Sequence, residues 1–193
     1  MNKVIALVIM IVVCSIYFVA MDYRGEESGI VKKQEQVLDN KLKVDANKDT
    51  IQKMIQQIET EYPETPKMLI EFNNRIMQYQ YSKDVNDEVM TETLKALRML
   101  YSEELLQLNS YEKQFENLKV ELEKNHIGKL YLTKNTIKSI EFPSPENAFV
   151  EVVHETTKES ERRQYTLVKE KGLWKIHSWS SLSLIDDETI LED

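Results

Sequence analysis

The chain opens with one unbroken run of apolar residues, and polar residues dominate after it. Val4 to Met21 contains no charge, glycine or proline. As a helix, this run spans ~27 Å, close to the ~30 Å hydrocarbon core of a bilayer. Its Leu, Ile, Val and Phe side chains favour insertion into a bilayer by about 3–7 kcal/mol. The pattern therefore predicts a transmembrane anchor over residues 1–21.

Two other fates of this segment stay open at the level of sequence. A cleaved signal peptide needs small residues before the cut, and Phe18 stands at such a position. A lipoprotein would use Cys14, but Val13 occupies the place where a small residue normally precedes the cysteine. Positive charge at Met1 and Lys3, with an acidic excess after the run, predicts a cytoplasmic N-terminus and an extracytoplasmic remainder.

Apolar residues recur at helical spacing through the next hundred or so positions. Residues 22–48 are polar with scattered apolar positions and predict a stalk, partly helical. Spacings of three and four residues then predict four amphipathic helices. Their buried stripes are Ile51, Met54, Ile58 and Tyr62; Leu69, Phe72, Ile76 and Tyr79; Val89, Met90, Leu94, Leu97 and Tyr101; and Tyr111, Phe115, Leu118 and Leu122.

Capping residues and breakers give the expected ends of these helices. A side-chain oxygen at the N-cap accepts from the free N–H groups of the first turn, and proline suits the first helical position. The predicted boundaries are a cap at Asp49 or Thr50, a stop at Pro63, caps at Thr65, at Asn86 or Asp87, at Ser102 (for a short turn of helix) and at Ser110, and a stop at Gly128.

After Gly128 the apolar period changes toward two, which is typical of strands. The predicted strands are Thr136–Phe142, Ala148–Glu155, Arg163–Val168 and Leu173–Trp179. The last two form a hairpin, in which Tyr165, Leu167, Trp174 and Ile176 alternate with polar residues and mark the buried face. Helices followed by an antiparallel sheet predict an α+β domain over residues 49–182, with an acidic tail at 183–193.

The hairpin Tyr165 to Ile176, which reads YTLVKEKGLWKI, resembles the closing hairpin of the nuclear transport factor 2-like cone fold. This is the superfamily of ketosteroid isomerase, and the resemblance implies helices packed into the concave face of a curved sheet. Tyr62 to Pro66 and Leu100 to Leu105 resemble an uncharacterised family of membrane-anchored clostridial proteins. Isomerases of the cone superfamily use a carboxylate, but none here matches that motif.

The composition disfavours one class of partner and excludes two kinds of cysteine chemistry. The 193 residues carry a formal net charge of −8, which disfavours nucleic acid as a partner because a phosphate backbone would be repelled. Cys14 is the only cysteine, so an intrachain disulfide and a cysteine-based zinc site are excluded. The charged run Lys158 to Arg163 predicts a solvated loop between strands.

Motifs that would indicate catalysis are missing. The three histidines do not form an HExxH pair. A metal site would require His154 and His177 to meet across neighbouring strands, with Glu151 or Glu155, and surface histidines are the alternative. No nucleophile elbow and no glycine-rich phosphate loop occurs. We therefore predict no catalytic residue, no metal and no cofactor.

A pocket lined by Tyr79, Phe149, Tyr165 and Trp174 is the candidate ligand site, and ordinary core packing is the alternative for the same residues. Trp179 follows the hairpin and is a candidate exposed contact. The leading functional hypothesis is a non-enzymatic, single-pass protein of the cell envelope that binds a protein partner, itself or a wall component. A small-ligand-binding or enzymatic cone domain and a structural subunit of a larger membrane complex are the alternatives.

Overall fold

The computed structural model describes residues 45–182. The predicted anchor over Val4 to Met21, the stalk up to residue 44 and the acidic tail at 183–193 lie outside these residues. Between residues 45 and 182, no helix combines the length and the apolar character that crossing a membrane requires.

Helices come first and strands last, which confirms the predicted α+β class. The described part of helix α1 covers residues 45–60. It is followed by α2 (Pro66–Gln80), α3 (Asp87–Met99), α4 (Glu103–Leu108) and α5 (Tyr111–Gly128). The strands are β1 (Leu132–Ser144), β2 (Asn147–Thr156), β3 (Ser160–Glu170) and β4 (Leu173–Leu182).

Four predicted N-caps are confirmed. The side chains of Thr65, Asn86, Ser102 and Ser110 each accept a hydrogen bond from a backbone N–H in the first turn of the helix that follows. Each cap satisfies one of the N–H groups that a helix leaves without an internal partner. This explains why short polar residues mark the helix starts so clearly in the sequence.

Two predicted helix boundaries are wrong, and the predicted stop at Gly128 is confirmed. Asp49 and Thr50 lie inside α1 rather than at its cap, because the helix already includes residue 45. Helix α5 ends with Gly128, and its C-cap Lys129 takes the left-handed conformation with φ 52°. Tyr101 lies beyond the end of α3 and forms a parallel bridge with Ile176.

The sheet is four-stranded, curved and antiparallel, in the order β1-β2-β3-β4. Each strand is longer than the sequence pattern predicts, because polar residues continue the pairing beyond the apolar core. The β3–β4 hairpin turns at Lys171 and Gly172, with φ values of 53° and 84°. Positive φ at both central residues is the requirement of a type I′ turn, which matches the twist of the strands.

A bulge divides β4 at His177. Thr166 pairs with Ser178 and Leu167 pairs with Ile176, so His177 has no register partner. Since side chains alternate along a strand, the extra residue moves Trp179 onto the same face as Ile176.

The main core lies between the concave face of the sheet and helices α1 to α3. Its sheet side includes Val150, Leu167 and Ile176, and its helix side includes Ile58, Leu69, Ile76 and Leu100. The hairpin residues predicted to be buried, Tyr165, Leu167, Trp174 and Ile176, are all buried.

Helix α5 packs differently from the others. Leu118 is its one buried side chain and meets Met90 and Leu94 of α3 in a separate small cluster. The partly buried Tyr111, Phe115 and Leu122 extend this narrow apolar contact, which anchors the helix.

Candidate functional site

An open cavity of about 360 Å³ lies between α5 and the concave face of the sheet. Helix α2 contributes Asn73, Met77 and Gln80 to its lining, α5 contributes Gln114, Asn117 and Glu121, and the sheet contributes Arg163, Tyr165 and Trp179. The volume is in the range of roughly 300–1,000 Å³ that is usual for small-molecule pockets.

Trp179 reaches this cavity because of the bulge at His177. Its ring centroid lies 5.8 Å from that of Tyr101 and 6.4 Å from that of Tyr165. Both tyrosines are buried, whereas Trp179 keeps 40 % of its surface exposed. The indole therefore stands at the edge of the cavity on a fixed aromatic base, where one part of the ring is available for contact.

A directed chain of hydrogen bonds supports the cavity from behind. Asn135 Nδ2 donates to the carbonyl oxygen of Asn74 at 3.0 Å, so Asn135 Oδ1 faces His154 Nδ1 at 2.6 Å. An amide oxygen only accepts, so His154 carries its proton on Nδ1. His154 Nε2 must then accept from the hydroxyl of Tyr165, 3.1 Å away.

Burial keeps both ends of this chain neutral. Burial, followed by the positive charge of Arg163, lowers the pKa of His154 to about 4. Burial also raises the pKa of the Tyr165 hydroxyl above its ordinary value, although hydrogen bonds and charge from Arg163 act in the opposite direction. At neutral pH the pair thus serves as a fixed polar support and not as a proton donor or acceptor for a bound molecule.

Arg163 brings the cavity its positive charge, and Glu161 balances it. Arg163 Nη2 lies 2.7 Å from Glu161 Oε2, and Nε lies 3.3 Å from Oε1. Burial alone would raise the pKa of Glu161, but hydrogen bonds from Ser181 and Arg163 hold it below its ordinary value. The carboxylate of Glu161 is therefore ionised, and its oxygens already accept hydrogen bonds from Arg163 and Ser181.

This pair corrects the prediction for the charged run Lys158 to Arg163. Ser160 onwards belongs to β3, and Glu161 is the register partner of buried His154. A run of charges favours a solvated loop because charged residues are seldom buried, but a concave sheet face accommodates an arginine and a glutamate that neutralise each other.

A smaller cavity of about 130 Å³ adjoins the first and shares Met77, Tyr81, Glu121 and Arg163 with it. Burial, followed by the charge of Glu121, raises the pKa of Tyr81. Tyr81 and Glu121 thus form a neutral hydroxyl and a carboxylate at the boundary between the two cavities.

Gln80 is the most unusual side chain of the lining. It is only 4 % exposed, and its Oε1 atom has no hydrogen-bond partner within residues 45–182. Leaving a buried amide oxygen unpaired costs about 1–3 kcal/mol. A polar group held at such a cost beside an open cavity indicates a site that a ligand or water completes.

A third depression, of about 740 Å³, lies between α1, α2 and β1. Lys67, Glu71 and Arg75 contribute to it from the exposed side of α2. Two further oxygens without partners in the described part of the chain, Asn74 Oδ1 and Thr136 Oγ1, belong to residues of its lining.

The four residues predicted to line one pocket do not lie together in the structure. Tyr165 lines the main cavity. Tyr79 is half-buried against the main core, and Trp174 is a buried core residue whose ring meets that of Phe142 at 6.2 Å. Phe149 alternates with the buried residues of β2 and lies on the opposite face of the sheet.

The predicted meeting of His154 and His177 does not occur. His154 lies on β2 and His177 on β4, with β3 between them. His177 instead lies 3.4 Å from Ser102 Oγ through its Nδ1 atom. Within residues 45–182 no group of three His, Cys, Asp or Glu side chains is arranged to hold a metal ion.

Sequence reasoning missed Gln80, Arg163 and Glu121 as lining residues. Gln80 carried a usable signal, because it continues the buried side of α2 four residues after Ile76. Arg163 carried a weaker signal, because it lies two residues before Tyr165 and so shares its face of the predicted strand. Glu121 carried none, since it also suits an exposed position.

Together, fold and cavity define the class: an α+β domain in which a helix covers a pocket on a curved antiparallel sheet. The chain belongs to the family described as a domain of unknown function (DUF6715), whose model matches residues 1–179. This match does not test the resemblance to clostridial membrane-anchored proteins, which stays a prediction.

No curated protein matches the chain. Among solved structures, it is similar to a SEC-C motif-containing protein of Rhodopseudomonas palustris, with 11 % identity, a TM-score of 0.46, and coverage of 68 % of this chain and 91 % of the other.

Two further structures are similar at comparable levels. The intermembrane space region of the chloroplast protein ARC6 shows 13 % identity and a TM-score of 0.36, over 60 % of this chain and 92 % of its own. A protein described as an NTF2-like transpeptidase of Campylobacter jejuni shows 12 % identity and a TM-score of 0.38, over 56 % and 96 %. Each TM-score is below 0.5, so these similarities establish neither a shared fold nor a shared function.

Proposed function

We propose that the protein is a membrane-anchored, extracytoplasmic binding protein whose cone-like domain receives a small molecule in the cavity beneath α5. The open volume of about 360 Å³ carries this proposal. Had the concave face been filled by its own side chains, a protein partner would have been the better candidate.

The state of the inward titratable groups favours binding over catalysis. Both ring nitrogens of His154 are engaged, and Glu161 is held by Arg163 and Ser181. A general base needs an available lone pair within reach of the substrate. Glu121 keeps an available carboxylate, but it lies at the exposed rim of the cavity. The rest of the described lining offers mainly hydrogen-bonding amides and aromatic rings, so we propose a non-enzymatic role.

A bulky side chain at the rim tests the proposal. Asn117 lies on the exposed side of α5 and lines the cavity, whereas Val120 is exposed on the same helix away from it. The full chain in detergent is screened by thermal unfolding against sugars, amino acids, organic anions, nucleosides and amphiphiles, since a ligand of the folded state raises Tm.

We expect at least one class to raise the Tm of the unmodified chain and of Val120→Trp but not of Asn117→Trp. Failure of every class with the unmodified chain would overturn the proposal. Self-association that both variants retain would favour the structural-subunit alternative.

The anchor and its orientation belong to the same proposal and rest on the apolar run from Val4 to Met21. Protease applied to intact cells should digest the part of the chain after Met21. Complete protection of that part until the cells are lysed would contradict the extracytoplasmic placement.

A further inference from the structure

The polar groups of the main cavity are mostly amides, and its charged groups, with Glu161 included, sum to one negative charge, which restricts what the cavity binds. Its positive charge, Arg163, is matched by Glu161, and Glu121 adds a carboxylate to the lining. A simple anion therefore meets no uncompensated cation, and the carboxylate left for a simple cation in the described lining, Glu121, is exposed and screened by solvent.

Amide groups supply the remaining hydrogen-bonding capacity, and their existing partners show which atoms remain. Gln114 Oε1 accepts from Arg98 at 2.7 Å, and the amide nitrogen of Gln114 donates to the Tyr101 hydroxyl, so one of its two N–H groups remains to donate. Asn109 Nδ2 donates to the carbonyl oxygen of Leu105 at 3.2 Å, so the amide oxygen of Asn109 remains to accept. The buried oxygen of Gln80 is a second acceptor.

A ligand that satisfies this set must both donate and accept several hydrogen bonds without a net charge. Hydroxyl groups do both from one atom, and so do the amide substituents of amino sugars. The partly exposed indole of Trp179 adds an apolar surface of the size of one ring, beside Tyr101 and Tyr165.

We infer that the ligand is a neutral, polyhydroxylated ring compound, a sugar or the end of a glycan chain, that packs against Trp179 and hydrogen-bonds to Gln80, Asn109 and Gln114. This inference rests on the proposed function. Two features carry it: a 4 %-exposed glutamine whose oxygen lacks a partner in residues 45–182, and an aromatic residue that the bulge at His177 directs to the cavity.

Calorimetric titration of the full chain tests the inference. The detergent must lack a sugar head group, because such a head group would itself compete for the cavity. The neutral probes are N-acetylglucosamine and its β-1,4-linked disaccharide, and the charged probes are lactate and choline. A longer oligosaccharide distinguishes a free sugar from the end of a glycan chain as the ligand, since it binds only if the cavity accepts a chain end.

We expect saturable binding of a neutral probe, weakened about tenfold or more in Trp179→Ala and in Gln80→Met. Leu173→Ala is the matched control, because Leu173 lies on the same strand with nearly the same exposure, 41 %, and does not line the cavity. Its affinity should equal that of the unmodified chain.

A second readout isolates the indole. The chain contains two tryptophans, so Trp174→Phe leaves Trp179 as the only one, and its fluorescence should change with the neutral probe. Binding of lactate or choline alone, sensitive to Trp179→Ala, would overturn the ligand class while the proposed function stands. Binding of no probe, with the wider screen also negative, would overturn both. Sugar binding that Trp179→Ala leaves unchanged would overturn the placement at this cavity.

Discussion

His154 on β2 accepts a hydrogen bond from Tyr165 on β3, with 3.1 Å between Nε2 and the hydroxyl oxygen. Tyr165 lies four residues along β3 from Glu161, the register partner of His154. The two rings meet nevertheless, edge to face with centroids 6.0 Å apart, on the concave side of the sheet. Asn135 fixes the histidine tautomer from the other side.

This arrangement predicts a loss of stability in mild acid. His154 has a folded-state pKa of about 4, whereas an unperturbed histidine has the higher value of 6.5. Between these two values the unfolded chain binds a proton that the folded chain does not. The free energy of unfolding should therefore fall as the pH drops from about 6.5 to about 4, by up to about 3 kcal/mol.

Denaturant unfolding at a series of pH values measures this slope. His154→Gln keeps a donor and an acceptor but does not titrate, so it should flatten the profile in this window. The exposed His126 supplies the control, and His126→Gln should keep the slope of the unmodified chain. An unchanged slope in His154→Gln would contradict the assignment.

Arg163→Gln should destabilise the domain by leaving Glu161 without its guanidinium partner. Because the pair is only partly buried, with side-chain exposures of 20 % and 37 %, we expect a smaller loss than for a fully buried pair, about 1–2 kcal/mol. Lys134 pairs with Glu155 in the open, so Lys134→Gln should change stability by less than about 0.5 kcal/mol. Equal effects of the two substitutions in urea denaturation would refute the structural role of the Arg163–Glu161 pair.

Local rules predicted most of the elements but not the site. A cap such as Thr65 or Ser110 acts within three residues of itself, so its signal is complete in the sequence. The hairpin alternation at Tyr165 and Leu167 is equally local. The cavity instead depends on sequence-distant contacts, as between Asn135 and Asn74, 61 residues apart.

The bulge at His177 shows most directly why local rules fail for the site. Strict alternation through β4 continues the face of Trp174 and Ile176 to Ser178, and it assigns Trp179 to the opposite face. One extra residue reverses this assignment. The sequence around His177 contains no glycine or proline that would indicate a bulge. The side chain that we propose as the main ligand contact was therefore predicted only as an exposed residue after the hairpin.

Ser102→Ala should lower stability more than Ser110→Ala. Both serines cap helices, but Ser102 is fully buried and Ser110 is exposed. Ser102 Oγ accepts from Leu105 N at 3.1 Å in the segment where Ser102 N donates to the carbonyl oxygen of Ile176. We expect losses of about 1–2 kcal/mol for Ser102→Ala and about 0.5–1 kcal/mol for Ser110→Ala, measured by denaturant unfolding. The reverse order would show that burial adds nothing to the cap at Ser102.

Two glycines should respond to alanine with opposite signs. A Cβ atom at either Gly128 or Gly172 would meet no other atom within 4 Å, so backbone conformation alone decides the outcome. Gly172 has φ +84°, where alanine is strained, whereas Gly128 ends a regular helix and its φ is not positive. We expect Gly172→Ala to destabilise the domain by about 1 kcal/mol and Gly128→Ala to stabilise it by up to about 1 kcal/mol. Thermal and urea unfolding of the two variants in parallel measure the difference, and a shift of the same sign in both would contradict the conformations assigned to the hairpin and to the end of α5.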